Sequence, residues 1–314
     1  MVRRIKKNIL IFSTEWDISA RNVISFLHQK GMECYLISNI NDLNKYGLKL
    51  NENYLKETIH SVWYRKLMIS AVDLEHNYPP FKSSSTNFLL SETEYCYYAI
   101  EKLLIGIKSL GNGFKAMDLN KIESLIIAKQ VGLNAPNFLI CNNKKELSEF
   151  KNREGKVITK PIFNAGSIRL SEEKTGYMYT KVVNDEVIAN LPNTFFPSFF
   201  QTYIKKEYEI RAFYLDGQIF SAGIFSDNAE TKPDYRDSTQ TDIRIIPYKL
   251  PNTINKQLKR LMKILNLNTG SIDLIKSQDG NYFFLEVNPC GQYESISFNC
   301  NYNLNEKIAT WLMN

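Results

Sequence analysis

Two hairpin signals constrain the fold of this chain more strongly than any other feature of its sequence. Alternating apolar segments at 208–215 and 218–226 flank Asp216 and Gly217, and those at 270–277 and 281–288 flank Asp279 and Gly280. An Asp-Gly pair between such segments predicts a two-residue turn, because both central residues of that turn need a positive φ. The C-terminal part of the chain, from about residue 198, is therefore expected to be an antiparallel sheet.

The second hairpin aligns three oxygen-bearing side chains. We place Asp279 and Gly280 at the centre of its turn. Asp273 then faces Glu286 directly across the two strands, and Asn288 follows on the same face. Two carboxylates held opposite each other destabilise a strand pair, whereas together with an amide oxygen they suit Mg²⁺ that also touches phosphate. The alternative is a solvated polar face with lysine neighbours.

The first hairpin carries a second polar stripe. Glu209 and Arg211 share one face of the segment 208–215. Glu209 can accept hydrogen bonds from a ribose, and the fixed fork of Arg211 can hold a phosphate or a carboxylate. A cross-strand salt bridge is an equally good interpretation of this pair.

The N-terminal region has the pattern of an open α/β domain. A strand at 8–12, a helix at 18–29 ended by Gly31 and a strand at 34–38 form a βαβ opening. The segment 61–65 predicts another strand, and 91–109 a long helix. Because the region has no Gly-x-Gly-x-x-Gly, it offers no support for a dinucleotide-binding site.

The middle region begins at Asn120. It has predicted helices from Asn120 to Gly132 and at 144–152, and strands at 137–141 and 156–160. Lys160 ends the second strand, just before a small-residue loop that finishes at Ser167. A lysine and loop N–H groups at this place suit a phosphate, although an ordinary strand-end lysine is the alternative. We predict three domains, at 1–118, 119–197 and 198–314, in an α/β (α+β) fold.

Composition excludes several classes of function. The net charge is +6, without the basic block of a nucleic-acid-binding arm, so no nucleic-acid partner is predicted. No apolar run of transmembrane length occurs, so no membrane partner is predicted. The five cysteines include no Cys-x-x-Cys pair, and an odd count argues against a disulfide framework. Reduced thiols and a cytoplasmic location are expected.

The order of these motifs resembles that of the ATP-grasp ligase superfamily. The shared features are Lys121 opening a helix, Lys160, a hinge strand (Gln201 to Ile204, called the hinge below), Glu-Ile-Arg at 209–211, and GSIDLI followed by FLEVNP. SVWYR at 61–65 and FLEVNPCGQY at 284–293 resemble the branch of graspetide (microviridin-type) peptide macrocyclases. The resemblance implies an ATP-grasp fold with an N-terminal open α/β pre-ATP-grasp domain, and ATP bound between two α+β lobes.

The resemblance also implies a role for each site residue. Lys121 and Lys160 would contact ATP phosphates, with Ser167 in the phosphate loop; the backbone of Thr202, Tyr203 and Ile204 would contact the adenine edge beside Gln201; Glu209 would bind ribose; Asp273, Glu286 and Asn288 would ligate Mg²⁺; Arg211 and Arg236 would stabilise the transferring phosphoryl group or hold a carboxylate; Arg244 and Arg169 would hold an acidic side chain.

The implied activity is ATP-dependent macrocyclisation of a ribosomal precursor peptide with a leader and a Thr/Glu-rich core. Glu or Asp carboxylates would be phosphorylated and joined to Thr or Ser hydroxyls or Lys amines, and a homodimer is implied. The main alternative is an amino-acid or glutamate-adding ligase of the ribosomal-protein-modifying or D-alanine ligase type. A regulatory module that binds nucleotide and hydrolyses little of it is a second alternative.

Overall fold

A computed structural model describes residues 8–67, 83–114, 119–162, 167–169, 175–177, 180–226 and 243–314. Arg236 and residues 163–166 of the small-residue loop lie outside the described residues, and so do the side chains of Ser167 and Arg169. The predicted roles of these residues therefore stay predictions.

The elements follow one another along the described residues in a mixed α/β order. In chain order they are β1 (Asn8–Ser13), α1 (Ile18–Gln29), β2 (Cys34–Ile37), α2 (Asp42–Lys45), α3 (Glu52–Thr58), β3 (Ile59–Lys66), α4 (Ser83–Leu103), β4 (Lys108–Leu110), α5 (Lys121–Gln130), β5 (Phe138–Asn143), α6 (Lys144–Glu154), β6 (Val157–Thr159), β7 (Ser167–Arg169), β8 (Thr175–Tyr177), β9 (Lys181–Val183), α7 (Asp185–Asn190), β10 (Thr194–Thr202), β11 (Lys206–Leu215), β12 (Gln218–Ser226), β13 (Ile243–Pro247), α8 (Asn252–Ile264), β14 (Thr269–Ser277), β15 (Tyr282–Asn288), α9 (Glu294–Asn299) and α10 (Leu304–Met313).

The chain divides into two compact units. The first consists of Met1–Asp118, Asn266–Gly270 and Asn288–Asn314, and the second of Leu119–Leu265 and Ser271–Val287. Among the described residues, no helix is long and apolar enough to span a membrane.

The first unit is built on a parallel sheet with the strand order β2-β1-β3-β4. The helix α1 begins after Asp17, whose carboxylate accepts hydrogen bonds from the N–H groups of Ser19 and Ala20. Such a cap satisfies donors that the first turn leaves unpaired. Phe12 is fully buried and packs on the rings of Tyr64 and Phe114. The predicted open α/β opening is confirmed.

The predicted helix at 91–109 is wrong at both ends. The helix α4 spans Ser83–Leu103, and Lys108–Leu110 instead forms β4, which pairs parallel with β3. Gly106 has a φ of 86°, a conformation that ends a helix and that glycine adopts without a steric cost. Edge pairing with β3 therefore overrides the helical periodicity of this segment.

The described part of the second unit contains three sheets, with the strand orders β5-β10-β6-β9, β13-β12-β11-β14-β15 and β7-β8. The pairs β5–β10, β6–β10, β6–β9, β11–β12, β12–β13 and β7–β8 are antiparallel. In the hairpin β11–β12, Leu215 pairs with Gln218 across a two-residue turn. Asp216 and Gly217 have φ values of 42° and 88°, as a type I′ turn requires. The first hairpin prediction is confirmed.

The turn of the hairpin β14–β15 differs from the predicted one. The N–H of Ser277 donates to the carbonyl of Asn281 at 2.9 Å, and the N–H of Gly280 donates to the carbonyl of Ser277 at 3.0 Å. The loop therefore has three residues, 278–280, and the third, Gly280, has a φ of 86°. The hydroxyl of Ser277 bonds to Asn281 and to the carboxylate of Asp279, which stabilises this wider loop. The predicted two-residue turn is wrong.

Both faces of β15 are partly covered. Phe284 and Val287 are both buried, with 0% and 5% of their surface exposed. Positions three residues apart point to opposite faces of an alternating strand. The predicted pairing of Asp273 with Glu286 stays a prediction.

Candidate nucleotide and metal site

Two lysines converge on one carboxylate in the second unit. The Nζ of Lys121 lies 3.5 Å from Oε2 of Glu286, and the Nζ of Lys160 lies 3.8 Å from the same oxygen. Lys121 is the first residue of α5, which Asn120 caps, and Lys160 follows β6 directly. Two cations and one carboxylate leave a residual positive charge, and that charge suits a phosphate group.

A second ion pair joins β11 to β14. Nε and Nη2 of Arg211 donate to the two carboxylate oxygens of Asp273 at 2.8 and 2.9 Å. The cross-strand salt bridge that the sequence left open is therefore present, with Asp273 as the partner. A bidentate arginine uses one lone pair on each carboxylate oxygen. The remaining lone pairs of Asp273 can still bind a cation.

Asp273 and Glu286 both remain accessible to solvent. Asp273 is partly exposed between the buried side chains of Ile272 and Leu274. Glu286 is partly exposed next to the buried Val287. The two side chains are 27% and 20% exposed. Within the described parts of the chain, no group of three or more His, Cys, Asp and Glu side chains is placed to hold a metal ion. A cation bound there would take further oxygens from an amide, phosphate or water.

Asn288 ends β15 with its amide oriented. Its Oδ1 accepts a hydrogen bond from the N–H of Cys290 at 3.0 Å. Because only the oxygen of the amide accepts from an N–H, this bond fixes which end of the side chain is the acceptor. The oxygen keeps a second lone pair, which is the group that a hard cation would bind.

A small cavity in the second unit lies beside the hinge, with a volume of about 60 Å³. Its walls include apolar side chains, the hinge and two lysines; they are Pro136, Ile158, Lys160, Thr180, Gln201, Thr202, Tyr203, Ile204, Lys206, Ile275 and Leu285. Apolar walls with a polar strand along one edge suit a flat heteroaromatic ring.

Gln201 lies beside this cavity and carries an unsatisfied donor. The side chain is 1% exposed, and its Nε2 has no hydrogen-bond partner among the residues that the structure describes. A buried donor without a partner costs about 1–3 kcal/mol. A ring nitrogen or other acceptor of a ligand in the cavity would remove that cost, so the residues present fit a nucleotide base.

Two of the hinge N–H groups are already used. Thr202 donates to the carbonyl of Asn137 at 2.9 Å, and Tyr203 donates to the carbonyl of Lys156 at 2.8 Å. The adenine contact predicted for the backbone of Thr202, Tyr203 and Ile204 would therefore use the N–H of Ile204 as donor. The carbonyl groups of the three residues would serve as acceptors.

Glu154 accepts a hydrogen bond from the hinge and was not among the site residues predicted from the sequence. Its Oε2 accepts from Asn137 Nδ2 at 3.1 Å and from Thr202 Oγ1 at 2.8 Å. Asn137 in turn accepts from Lys129 at 3.0 Å. The hydrogen bond from Asn137, with those from Thr202 and Arg153, lowers the pKa of Glu154. No signal in the sequence separates this glutamate from the other acidic residues of α6.

Lys206 is a further site residue that the sequence did not reveal. It is buried, lines the cavity and donates to Glu209 Oε1 at 2.5 Å. Glu209, the predicted ribose ligand, is therefore already paired with the ammonium group of Lys206. In the sequence, Lys205-Lys206 has the pattern of a solvated strand end, and only the fold buries the second lysine.

The structure does not bring Arg244 to these residues. It is exposed on the edge strand β13, where it pairs with Phe225 of β12. Arg211 lies two strands away, on β11, where it pairs with Ala222 of β12. The predicted role of Arg244 toward an acidic side chain stays a prediction. Arg211, predicted to contact a phosphoryl group or a carboxylate, contacts the carboxylate of Asp273.

Comparison with solved structures shows the fold. No family model matches the chain. The macrocyclase MdnC of Microcystis aeruginosa, bound with the precursor peptide MdnA, has a TM-score of 0.78 at 24% identity, covering 98% of this chain and 99% of that one. An ATP-grasp ligase of Chryseobacterium gregarium, associated with a RiPP (a ribosomally made, modified peptide) and bound to ADP with leader and core peptide, has a TM-score of 0.75 at 22% identity, covering 98% and 95%. The ATP-grasp ligase PsnB, in complex with a variant precursor, Mg and ADP, has a TM-score of 0.72 at 18% identity, covering 98% of both chains. The chain thus has the ATP-grasp fold, and the predicted fold is confirmed.

A curated relative adds no function. An uncharacterized protein of Methanocaldococcus jannaschii is 27% identical over 207 residues, covering 62% of this chain and 47% of that protein. The chain thus spans about half the length of this relative.

Proposed function

We propose that the protein is an ATP-dependent carboxylate ligase that joins side chains of a ribosomally made precursor peptide into rings. The observation that carries the proposal is the convergence of Lys121 and Lys160 on Glu286 in an ATP-grasp fold. A structural ion pair needs one cation, whereas two cations at one carboxylate suit a polyphosphate that arrives with its metal ion.

The residues around the cavity fit ATP. The base would lie between the apolar walls, with Gln201 Nε2 and the N–H of Ile204 as donors. Glu209 would accept from the ribose hydroxyls, and Lys121 and Lys160 would hold the phosphates. The chemistry of the donor set also fits Mg²⁺, which Asp273, Glu286 and Asn288 would ligate. When bound, Mg²⁺ neutralises charge on the transferring phosphoryl group.

The chain's own residues would then orient and shield the reaction. An oxygen of the substrate carboxylate attacks the γ-phosphorus of ATP, the bond to the β-phosphate oxygen breaks, and an acyl phosphate and ADP form. Lys121 and Lys160 stabilise the charge that spreads over the phosphoryl oxygens. A hydroxyl or amine of the peptide next attacks the acyl carbon and releases phosphate, which gives an ester or an amide. Arg211 and Arg236 are the candidates for holding the acidic side chain.

The likeness to peptide-bound ligases supports a peptide substrate. MdnC was solved with a precursor peptide and the Chryseobacterium ligase with a leader and core peptide, and each aligns over nearly the whole chain. The predicted leader and Thr/Glu-rich core belong to this proposal. An amino-acid-adding ligase would use the same ATP site, so the substrate has to be tested separately.

Mass spectrometry tests the proposal. The protein is incubated with ATP, Mg²⁺ and a synthetic precursor that contains a leader and a Thr- and Glu-rich core, and peptide mass and ADP are followed together. We expect the loss of one water per ring and one ADP per water lost. Formation of ADP without any change in peptide mass, together with mass gain on a free amino acid, would favour the amino-acid ligase instead.

We also propose a cytoplasmic location and a homodimer. All five cysteines are thiols, and ATP is an intracellular substrate. The homodimer follows from the family resemblance, and light scattering at micromolar concentration would measure it.

A further inference from the structure

A buried arginine organises the chain segment that follows the proposed metal ligands. Arg65 is the penultimate residue of β3, and its side chain is 3% exposed. Its Nε donates to Asp17 Oδ2 at 3.1 Å. Asp17 is 2% exposed and also caps α1 through Ser19 and Ala20. A buried arginine costs desolvation free energy unless nearly all its donors have partners. The remaining contacts of Arg65 therefore show which part of the chain this buried charge holds in position.

Most of those contacts reach one turn, residues 288–293. Nη1 of Arg65 donates to the carbonyl of Gly291 at 2.9 Å, and Nη2 lies 3.5 Å from Oε1 of Gln292. The guanidinium also lies over the ring of Tyr293, 5.4 Å from its centroid, and that ring is fully buried. Three consecutive residues thus contact this one side chain.

The same turn holds Asn288 through its backbone. The N–H of Gly291 donates to the carbonyl of Asn288 at 2.9 Å, and the N–H of Cys290 donates to its Oδ1 at 3.0 Å. Arg65 holds the Gly291 peptide from one side, and that peptide region holds Asn288 from the other. All of these residues lie in the first unit.

We propose that Arg65 is a positioning residue that presents the amide oxygen of Asn288 to the divalent cation. The inference rests on the proposed function, because it takes Asn288 as a ligand. Arg65 contacts no ligand atom itself. It acts by fixing the turn that orients Oδ1, as the outer shell of a metal site orients the inner one.

Lysine cannot replace arginine in this role. The contacts to Asp17, Gly291 and Gln292 leave the planar guanidinium in three directions from Nε, Nη1 and Nη2. A lysine ammonium is a point charge at the end of a flexible stem and lacks the flat face that packs on Tyr293. Arg65→Lys keeps the charge opposite Asp17 but loses the hold on the turn.

Direct titration of the cation tests the proposal without relying on activity. Binding of Mn²⁺ to the protein–ADP complex is measured by electron paramagnetic resonance for wild type, R65K, N288A and the double variant. Ser61→Ala is the matched control: it lies on the same strand, is buried, and donates to the carbonyl of Leu312 at 2.7 Å rather than to the turn. Thermal unfolding is recorded for every variant.

We expect R65K to weaken Mn²⁺ binding about tenfold, as outer-shell substitutions at metal sites do, while S61A leaves it unchanged. Because both substitutions act on one ligand, R65K/N288A should bind no more weakly than N288A alone. If R65K does not fold, R65M/D17N removes both buried charges together and tests the same loss.

Four results would overturn the inference. Equal loss in R65K and S61A, or additive loss in the double variant, would reduce Arg65 to a structural residue. If wild type does not bind Mn²⁺ with ADP at all, the proposed function fails as well. If wild type binds and R65K is unchanged, only the role of Arg65 fails.

Discussion

Glu286→Gln should change nucleotide binding in opposite directions with and without metal. In the wild type, Glu286 attracts Lys121 and Lys160 at 3.5 and 3.8 Å and competes with phosphate for both. The substitution removes that competing charge and leaves the two cations to the phosphates. The same substitution removes a proposed Mg²⁺ ligand. Metal-free ADP should therefore bind more tightly, and ADP in the presence of Mg²⁺ should bind more weakly.

The size of the effect follows from the geometry. A unit charge pair at about 4 Å interacts by about 4 kcal/mol at an effective dielectric constant of about 20. The side chains of Lys121, Lys160 and Glu286 are 18%, 12% and 20% exposed, so solvent screens part of this interaction. Retaining about a third gives about 1.4 kcal/mol, which is about a tenfold tightening of metal-free ADP.

Calorimetry measures both limbs of this prediction. ADP is titrated into wild type and E286Q in the presence of a chelator and then with Mg²⁺. Glu123→Gln is the control, because it removes an exposed carboxylate from α5, the helix that begins with Lys121. Weaker or unchanged binding of metal-free ADP to E286Q would refute the view that Glu286 competes with phosphate for the two lysines.

Three further substitutions test the cavity, the hinge and the hydrophobic core of the first unit. Gln201→Leu removes a buried donor that lacks a partner among the described residues, so the ligand-free protein should gain about 1–2 kcal/mol by denaturant unfolding. The same variant should bind ATP more weakly, and loss of stability would contradict the unsatisfied state of Nε2. The lowered pKa of Glu154 means that its carboxylate stabilises the fold above its ordinary pKa, and this contribution is lost as the pH falls through the lowered value. Glu154→Gln should therefore be less stable at neutral pH and show a flatter loss of stability in acid titrations; parallel curves for the two proteins would refute this. Phe12→Ala should cost about 3–5 kcal/mol of unfolding free energy, because the ring is fully buried against Tyr64 and Phe114. A loss below about 1 kcal/mol would show that this cluster is not the core of the first unit.

Local chemistry made parts of the fold predictable. The helix at 18–29 has a capping aspartate before it and a glycine after it, and the structure begins and ends α1 at those bounds. Asp216-Gly217 specifies its own turn, because only a few residues accept two successive positive φ angles. In both places the deciding interactions lie within a few residues of each other.

Other parts depended on distant partners. Asp279-Gly280 is the same residue pair, yet the hydrogen bonds between Ser277 and Asn281 close a loop of three residues instead of two. The segment 108–110 is a strand because the edge of β3 accepts it. Neither partner is visible in the periodicity of the segment itself.

The candidate site divides in the same way. The motifs identified Lys121, Lys160 and Glu286, and the structure brings these three together. The substrate role of Arg211 stays a prediction, and its guanidinium contacts Asp273, a partner that the motifs did not reveal. The hold of Arg65 on the turn after Asn288 joins residues more than two hundred positions apart. A pairing of this kind follows from the packing of the first unit, and the spacing of residues along the sequence does not predict it.

Oxygen isotope transfer tests the central claim most directly. A precursor peptide whose Glu side-chain carboxylates carry oxygen-18 is incubated with the protein, ATP and Mg²⁺, and the released phosphate is analysed by mass spectrometry. Attack of the carboxylate on the γ-phosphorus predicts one labelled oxygen in phosphate for every ester or amide bond formed. Phosphate without label, or label recovered in AMP, would contradict the acyl phosphate mechanism.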